Sequence, residues 1–178
     1  MAYTPVANFS GNVTLNLSAN DGGNSGSGGA GVANASSTLQ VAAVNDAPTL
    51  AAPTVMPIGL SGSGPITGIV AGDIDAAGGS MAQTLSVPEG TLAASSQGGV
   101  TVTGSGTQNL VLTGTLSALN GFHAPTPRVT YTQAGSPSLN VPLSIVVNDN
   151  GGTGSGGART ASAGSMLRTG TLFMNGFE

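Results

Sequence analysis

Asn12-Val13-Thr14-Leu15-Asn16-Leu17-Ser18 alternates polar and apolar residues, the signature of a strand with one face buried. The stretch recurs 128 residues later. Asn12-Val13 matches Asn140-Val141, Leu15 matches Leu143, and Asn20-Asp21 matches Asn148-Asp149. The following loop repeats too, with Gly26-Ser27-Gly28-Gly29-Ala30 returning as Gly154-Ser155-Gly156-Gly157-Ala158. Upstream, Tyr3-Thr4 returns as Tyr131-Thr132, and no gap is needed from Tyr3 to Ala30. Glycine-serine loops resemble one another by chance; a strand in register ahead of the loop does not. The chain therefore carries an internal repeat. In the first copy, Thr38-Leu39-Gln40-Val41-Ala42-Ala43-Val44 reads as the returning strand of a hairpin. An isolated hairpin is marginally stable in water, so this segment needs a partner.

Between the two copies lie short β-like runs separated by Gly, Ser and Pro. Strands are expected near Thr54–Ile58, Ile66–Ala71, Thr84–Val87, Val100–Thr103, Leu110–Thr113, Arg128–Thr132 and Leu139–Val147, with a last one through Arg159–Arg168. That spacing predicts an all-β sandwich or barrel. One helical turn is expected, capped by Thr115, with Leu116 and Leu119 on one face and Asn120-Gly121 as the stop. Pro142 inside a strand points to an edge or a bulge. The repeat divides the chain into a closing hairpin and linker (1–47), a whole repeat (48–168) and a tail (169–178). The tail, Leu172-Phe173-Met174-Asn175-Gly176-Phe177-Glu178, replaces the linker that follows the first copy, as expected of a terminal repeat, and the first repeat is expected to be incomplete at its front, with Met1 a start inside a longer array.

The linker contains Val44-Asn45-Asp46-Ala47-Pro48. Pro48 fixes its own φ and keeps Ala47 out of helical angles, so this is an extended connector carrying a carboxylate. Two readings stand at this point. Asn-Asp-x-Pro is ordinary turn chemistry. It also suits a hard cation, because calcium takes several oxygens that arrive from separate segments.

Composition narrows the function. Charged residues are 6% of the chain, with three Arg and no Lys, which leaves no basic patch for nucleic acid. Aromatics are 3%, so the core is built from Val, Leu, Ile and Ala; with 30 Gly to order, stability is expected to be marginal without a ligand or neighbour. Cysteine is absent and no disulfide framework is possible. No basic-then-apolar leader marks a signal peptide at the start, and no run of about 18 apolar residues marks a membrane span.

Leu17-Ser18-Ala19-Asn20-Asp21-Gly22-Gly23, then a strand, then Val44-Asn45-Asp46-Ala47-Pro48, resembles the end of a bacterial cadherin-like repeat. Asp73-Ile74-Asp75-Ala76 resembles the Asp-x-Asp-Ala motif early in the next repeat. Leu112-Thr113-Gly114-Thr115-Leu116, Tyr131-Thr132 and Val147-Asn148-Asp149 are similar to its later part, so the resemblance covers nearly all of residues 3–168. It implies an Ig-like Greek-key β-sandwich, stacked end to end in large secreted or cell-surface adhesins, with Ca2+ rigidifying the junctions. It places Asn45 and Asp46 beside Asp73 and Asp75, with Asp149 at the same end, as metal ligands. The glutamates that the family contributes from the front of the preceding repeat are missing, which implies an incomplete, weak site. The implied partners are neighbouring repeats and a surface protein or glycan. The C-terminal tail also resembles, faintly, tails on secreted proteins of Gram-negative bacteria.

Other chemistry is set aside. Gly26-x-Gly28-x-x-Gly31 fits a dinucleotide fingerprint by letter but lies in a hairpin loop, and its copy has Arg159 at the third glycine. Asp73-x-Asp75 begins like an EF-hand, yet Thr84 stands at the twelfth position, where a Glu is required. His123, the only histidine, is expected to pack and not to act as a base. With no Cys, Lys or second His, no nucleophile, base and orienter can be assembled, and no catalytic residue is expected. The rival reading is a carbohydrate-binding or accessory domain of a secreted enzyme, which needs an exposed aromatic platform. A third is a fragment without independent function. The unpaired strands of residues 12–44 are also expected to recruit another strand edge.

Overall fold

The structure is a computed structural model that describes residues 2–23, 26–124, 126, 128–135 and 138–169. The chain divides into two units, Met1–Val44 and Asn45–Glu178. The division falls slightly ahead of the expected 47/48 boundary because Asn45 is hydrogen-bonded into the second unit. The tail beyond Thr169 lies outside the described residues.

The first unit is an antiparallel hairpin of β1 (Gly11–Asn20) and β2 (Val32–Val41), in register from Gly11↔Val41 to Asn20↔Val32. Among the described residues neither strand pairs with a further one.

The second unit is an all-β sandwich with one short helix. Its strands are β3 (Thr49–Ala51), β4 (Val55–Ile58), β5 (Ser63–Ile66), β6 (Val70–Gly72), β7 (Ser80–Ser86), β8 (Thr91–Ala93), β9 (Thr101–Thr103), β10 (Asn109–Thr115), β11 (Val129–Thr132), β12 (Asn140–Asn148) and β13 (Thr160–Thr169), with α1 over Leu116–Phe122. The large sheet has the order β4-β13-β12-β7-β10-β9, with β13 and β4 parallel. A smaller sheet is β5-β11-β8, and β3 pairs with β6. Alternate residues of both larger sheets enter one core. Met81 and Leu85, Leu110 and Leu112, and Val141, Leu143, Ile145 and Val147 come from one; Ile66, Leu92, Val129 and Tyr131 come from the other. Burying each such aliphatic side chain contributes about 1.5–3 kcal/mol, which lets a chain poor in aromatics form a core.

Three local features differ from the sequence expectation. The run Ile66–Ala71 is not one strand: Gly68, at φ 73°, turns the chain so that β5 joins β11 while β6 joins β3. The Gly68 N–H donates to the His123 carbonyl at 3.2 Å, which holds that turn. Thr115 caps α1 through the Ala118 N–H, as expected, but the helix runs on through Gly121 because Phe122 is buried in the core. Asn120 does not end the helix; its side chain clasps the Ala71 backbone at 2.8 and 2.9 Å. Pro142 lies in a strand with neighbours on both sides, at a place where one side is open. β7 pairs with β12 only from Ser144 to Asn148. Opposite Pro142, the Met166 N–H turns away to the Thr54 carbonyl, so the missing proline donor interrupts no ladder bond.

Candidate site at the Asn45–Asp149 end of the second unit

Three segments meet at one end of the sandwich: the entering chain at Asn45-Asp46, the loop after β6 at Asp73–Gly79, and the glycine-rich loop between β12 and β13. Asp149 organises the last of these. Its Oδ1 accepts from the N–H groups of Arg159 at 2.7 Å and Gly151 at 2.8 Å, closing the loop at both ends. Its Oδ2 accepts from Asn45 Nδ2 at 2.7 Å. Burial alone pushes this carboxyl up. The Arg159 and Gly151 N–H groups, the Asn45 amide and the Arg159 charge outweigh it and hold the group below the usual carboxylate value.

Asn45 is fully buried and acts as a plug. Its N–H donates to the Ser155 carbonyl at 2.8 Å, and Nδ2 donates a second time, to the Gly157 carbonyl at 2.9 Å. Its Oδ1 is buried without a partner and rests against Gly152. A Cβ on Gly152 would overlap that oxygen and come within 3.3 Å of Asp75, and the Gly152 φ of 39° disfavours a side chain as well.

Asp46, Asp73 and Asp75 are joined through backbone N–H groups. The Asp75 N–H donates to Asp73 Oδ1 at 2.8 Å, making a local turn, and Asp75 Oδ2 accepts from the Asp46 N–H at 2.5 Å. Thr153 ties this turn to the glycine-rich loop, donating its N–H and Oγ1 to the Asp75 carbonyl at 3.2 and 3.1 Å. Asp73 Oδ2 is buried and unpartnered. All five sequence-predicted residues thus belong to one hydrogen-bonded network, in two different settings. Asn45 and Asp149 form a clasp whose donors and acceptors largely satisfy one another. Asp73 and Asp75 each accept from a backbone N–H, and Asp46 joins through its own N–H with its side chain exposed. Among the described residues, no three His, Cys, Asp or Glu side chains group as a metal site.

The groups that sequence reading missed are Gly152, Thr153, Ser155 and Gly157. Three of them act through backbone atoms or through a missing Cβ, and no side chain announces such roles. The signal was the duplication of the loop itself.

His123 sits apart from this end. It is buried in the core, with Nε2 2.7 Å from Gln83 Oε1. Burial holds its pKa down at about 4, against a weaker opposing pull from the Ile66 backbone. Tyr131 is also buried, its hydroxyl donating to the Glu89 carbonyl at 3.3 Å. No protein-family model matches the chain, and no curated protein matches it in sequence.

Proposed function

We propose that this chain is a non-enzymatic structural and adhesive repeat module, cadherin-like in its Greek-key plan, from a secreted or cell-surface bacterial protein. The observation that carries the reading is the duplicated hairpin, followed directly by a segment that plugs into the next unit. A chain that ends one unit with a hairpin and begins the next with Asn45 in a buried clasp is built for serial stacking. The partners are neighbouring repeats, with a surface protein or glycan as the adhesive target. Tyr131, an obvious stacking residue for the carbohydrate-binding rival, lies in the core and is unavailable to a sugar.

Calcium belongs to this proposal. Two buried, unpartnered oxygens at one end of the unit, Asn45 Oδ1 and Asp73 Oδ2, suit a hard cation, because an acceptor without a donor is costly to bury. Asp46, Asp73 and Asp75 with Asn45 Oδ1 would hold it. Asp149 is the weaker candidate of the five, since three N–H groups already occupy its carboxylate. When bound, the cation supplies positive charge that links the entering segment to the β6–β7 loop. Ligand linkage then favours the ordered entry over a loose one. A thermal melt in EDTA and in millimolar calcium tests this, with Asp73→Ala and Asp46→Ala alongside. The midpoint rises with calcium, and either substitution removes the rise. A folded wild-type chain that ignores calcium removes the cation from the proposal and leaves the stacking module.

A further inference from the structure

The two hairpins share their register and the hydrogen bonds that close their loops. β12–β13 pairs from Asn140↔Arg168 to Asn148↔Thr160, the register of β1–β2 moved by the repeat offset. The loop bonds coincide as well. Asp21 Oδ1 accepts from the Gly23 and Gly31 N–H groups at 3.0 and 2.8 Å, as Asp149 Oδ1 does from Gly151 and Arg159. The Asp21 N–H donates to the Gly31 carbonyl at 3.1 Å, as that of Asp149 does to Arg159. The inward face is duplicated too. Val141, Leu143, Ile145 and Val147 correspond to Val13, Leu15, Leu17 and Ala19; Ala161, Ala163, Ser165 and Leu167 correspond to Ala33, Ala35, Ser37 and Leu39.

What covers such a face is visible in the second unit. β7 pairs with the outer edge of β12, β4 pairs with the outer edge of β13, and the core closes over the inward residues. Among the described residues no further strand pairs with the edges of the first hairpin; on its corresponding face Val13 and Leu15 are half-buried, while Leu17 is 49% and Leu39 is 38% exposed.

We propose that β1–β2 is a donor hairpin, which docks into the second unit of another copy of this chain in the place of that copy's β12–β13. Connectivity requires the acceptor to be another molecule. Asn45 is anchored at Ser155 and Gly157, ahead of the first residue of β13. A donor Val41 must reach the position of Thr169, at the far end of that strand, roughly 30 Å away for ten extended residues. The stretch from Val41 to Asn45 spans about 14 Å at most. With Asn45 seated in the equivalent place on the docked loop, a chain cannot complete itself with its own donor, so exchange joins separate copies. Two differences weaken the donor relative to the resident hairpin. Ala19 stands for Val147, and Asn24 stands for Gly152, the position that must lack a Cβ beside Asn45. Exchange accordingly accompanies refolding or transient opening of β12–β13. This inference rests on the duplicated hairpin and not on calcium.

The absence of native cysteine makes the test direct. In the closed unit Val146 lies opposite Thr84, so in the exchanged assembly Ser18 takes that place. Full-length Ser18→Cys and Thr84→Cys chains are unfolded together, refolded at high concentration and oxidised. The mismatched pair Thr14→Cys with Thr84→Cys is the comparison, and a Thr84→Cys/Val146→Cys chain, crosslinked within itself, confirms that the closed fold accepts the substitution. The matched heterodimer is expected to form at least tenfold more than the mismatched one. It falls when Leu17→Asp is added to the donor and rises with Asn24→Gly. Equal yields from matched and mismatched pairs overturn the proposal, as does a matched yield indifferent to Leu17→Asp.

Discussion

The hairpin β1–β2 and the hairpin β12–β13 share sequence pattern, register and loop bonding, and differ almost entirely in what lies against them. One shows solvent-facing leucines; the other carries Leu143 and Ile145 at 1% and 0% exposure. The comparison separates two levels of encoding. The alternating pattern and the Asn-Asp-glycine loop set the hairpin locally, twice, with the same bonds. Burial is conferred by the strands around it, and among the described residues such strands flank one copy only.

The largest way to break the equivalence is in the core. Ile145→Ala is expected to destabilise the second unit by about 2–5 kcal/mol, while Leu17→Ala changes its unfolding by less than about 0.5 kcal/mol. Urea titration of both variants checks this. Equal losses would mean that the first hairpin is already packed.

Next comes acid. His123 has a folded pKa of about 4 against 6.5 unfolded, so the unfolded chain binds its proton first. The neutral-histidine contribution is fully present above pH 6.5 and is lost as pH falls from 6.5 toward 4. It amounts to roughly 3 kcal/mol across that window. Unfolding free energy measured against pH should show the slope, and His123→Gln should flatten it. The first unit has no histidine, so its own acid dependence comes at lower pH, from Asp21, which the Gly23 and Gly31 N–H groups hold below the usual carboxylate value.

The clasp gives a smaller effect. Asn45→Ala leaves Asp149 Oδ2 and the Gly157 carbonyl without the amide and is expected to cost about 1–3 kcal/mol. Gly152→Ala should act at the same place by forcing Asn45 out, and the double variant should lose less than the sum, which a double-mutant cycle reads. Smallest is Arg159→Gly, which gives the second loop the residue of the first. Its guanidinium acts on Asp149 only by charge from an exposed position, so the change stays within about 1 kcal/mol and shrinks with salt.

The pattern of what was legible follows the same two levels. Long alternating strands, the repeat and the Thr115 cap were readable because each carries several residues of signal. β3 and β8 were not, because three residues hold barely more than one period of alternation. β5 was missed except for its last residue, Ile66, which was read into one strand with Ile69 and Ala71 because all three are apolar, while the turn between them depends on one glycine. At the candidate site the resemblance pointed to five residues, and the fold gathers them at one end. Their division into clasp and open carboxylates was not legible, because it is decided by which backbone N–H groups reach Asp149 first.

The parallel pairing of β4 with β13 has a mechanical side. Tension entering near Asn45 and leaving near Thr169 pulls the start of β4 against the finish of β13. Because the two strands run the same way, the rungs between Val55–Ile58 and Met166–Thr169 are loaded together, in shear. An antiparallel closing pair would hand the same force to one rung at a time and unzip. This unit would yield late and abruptly under a pull.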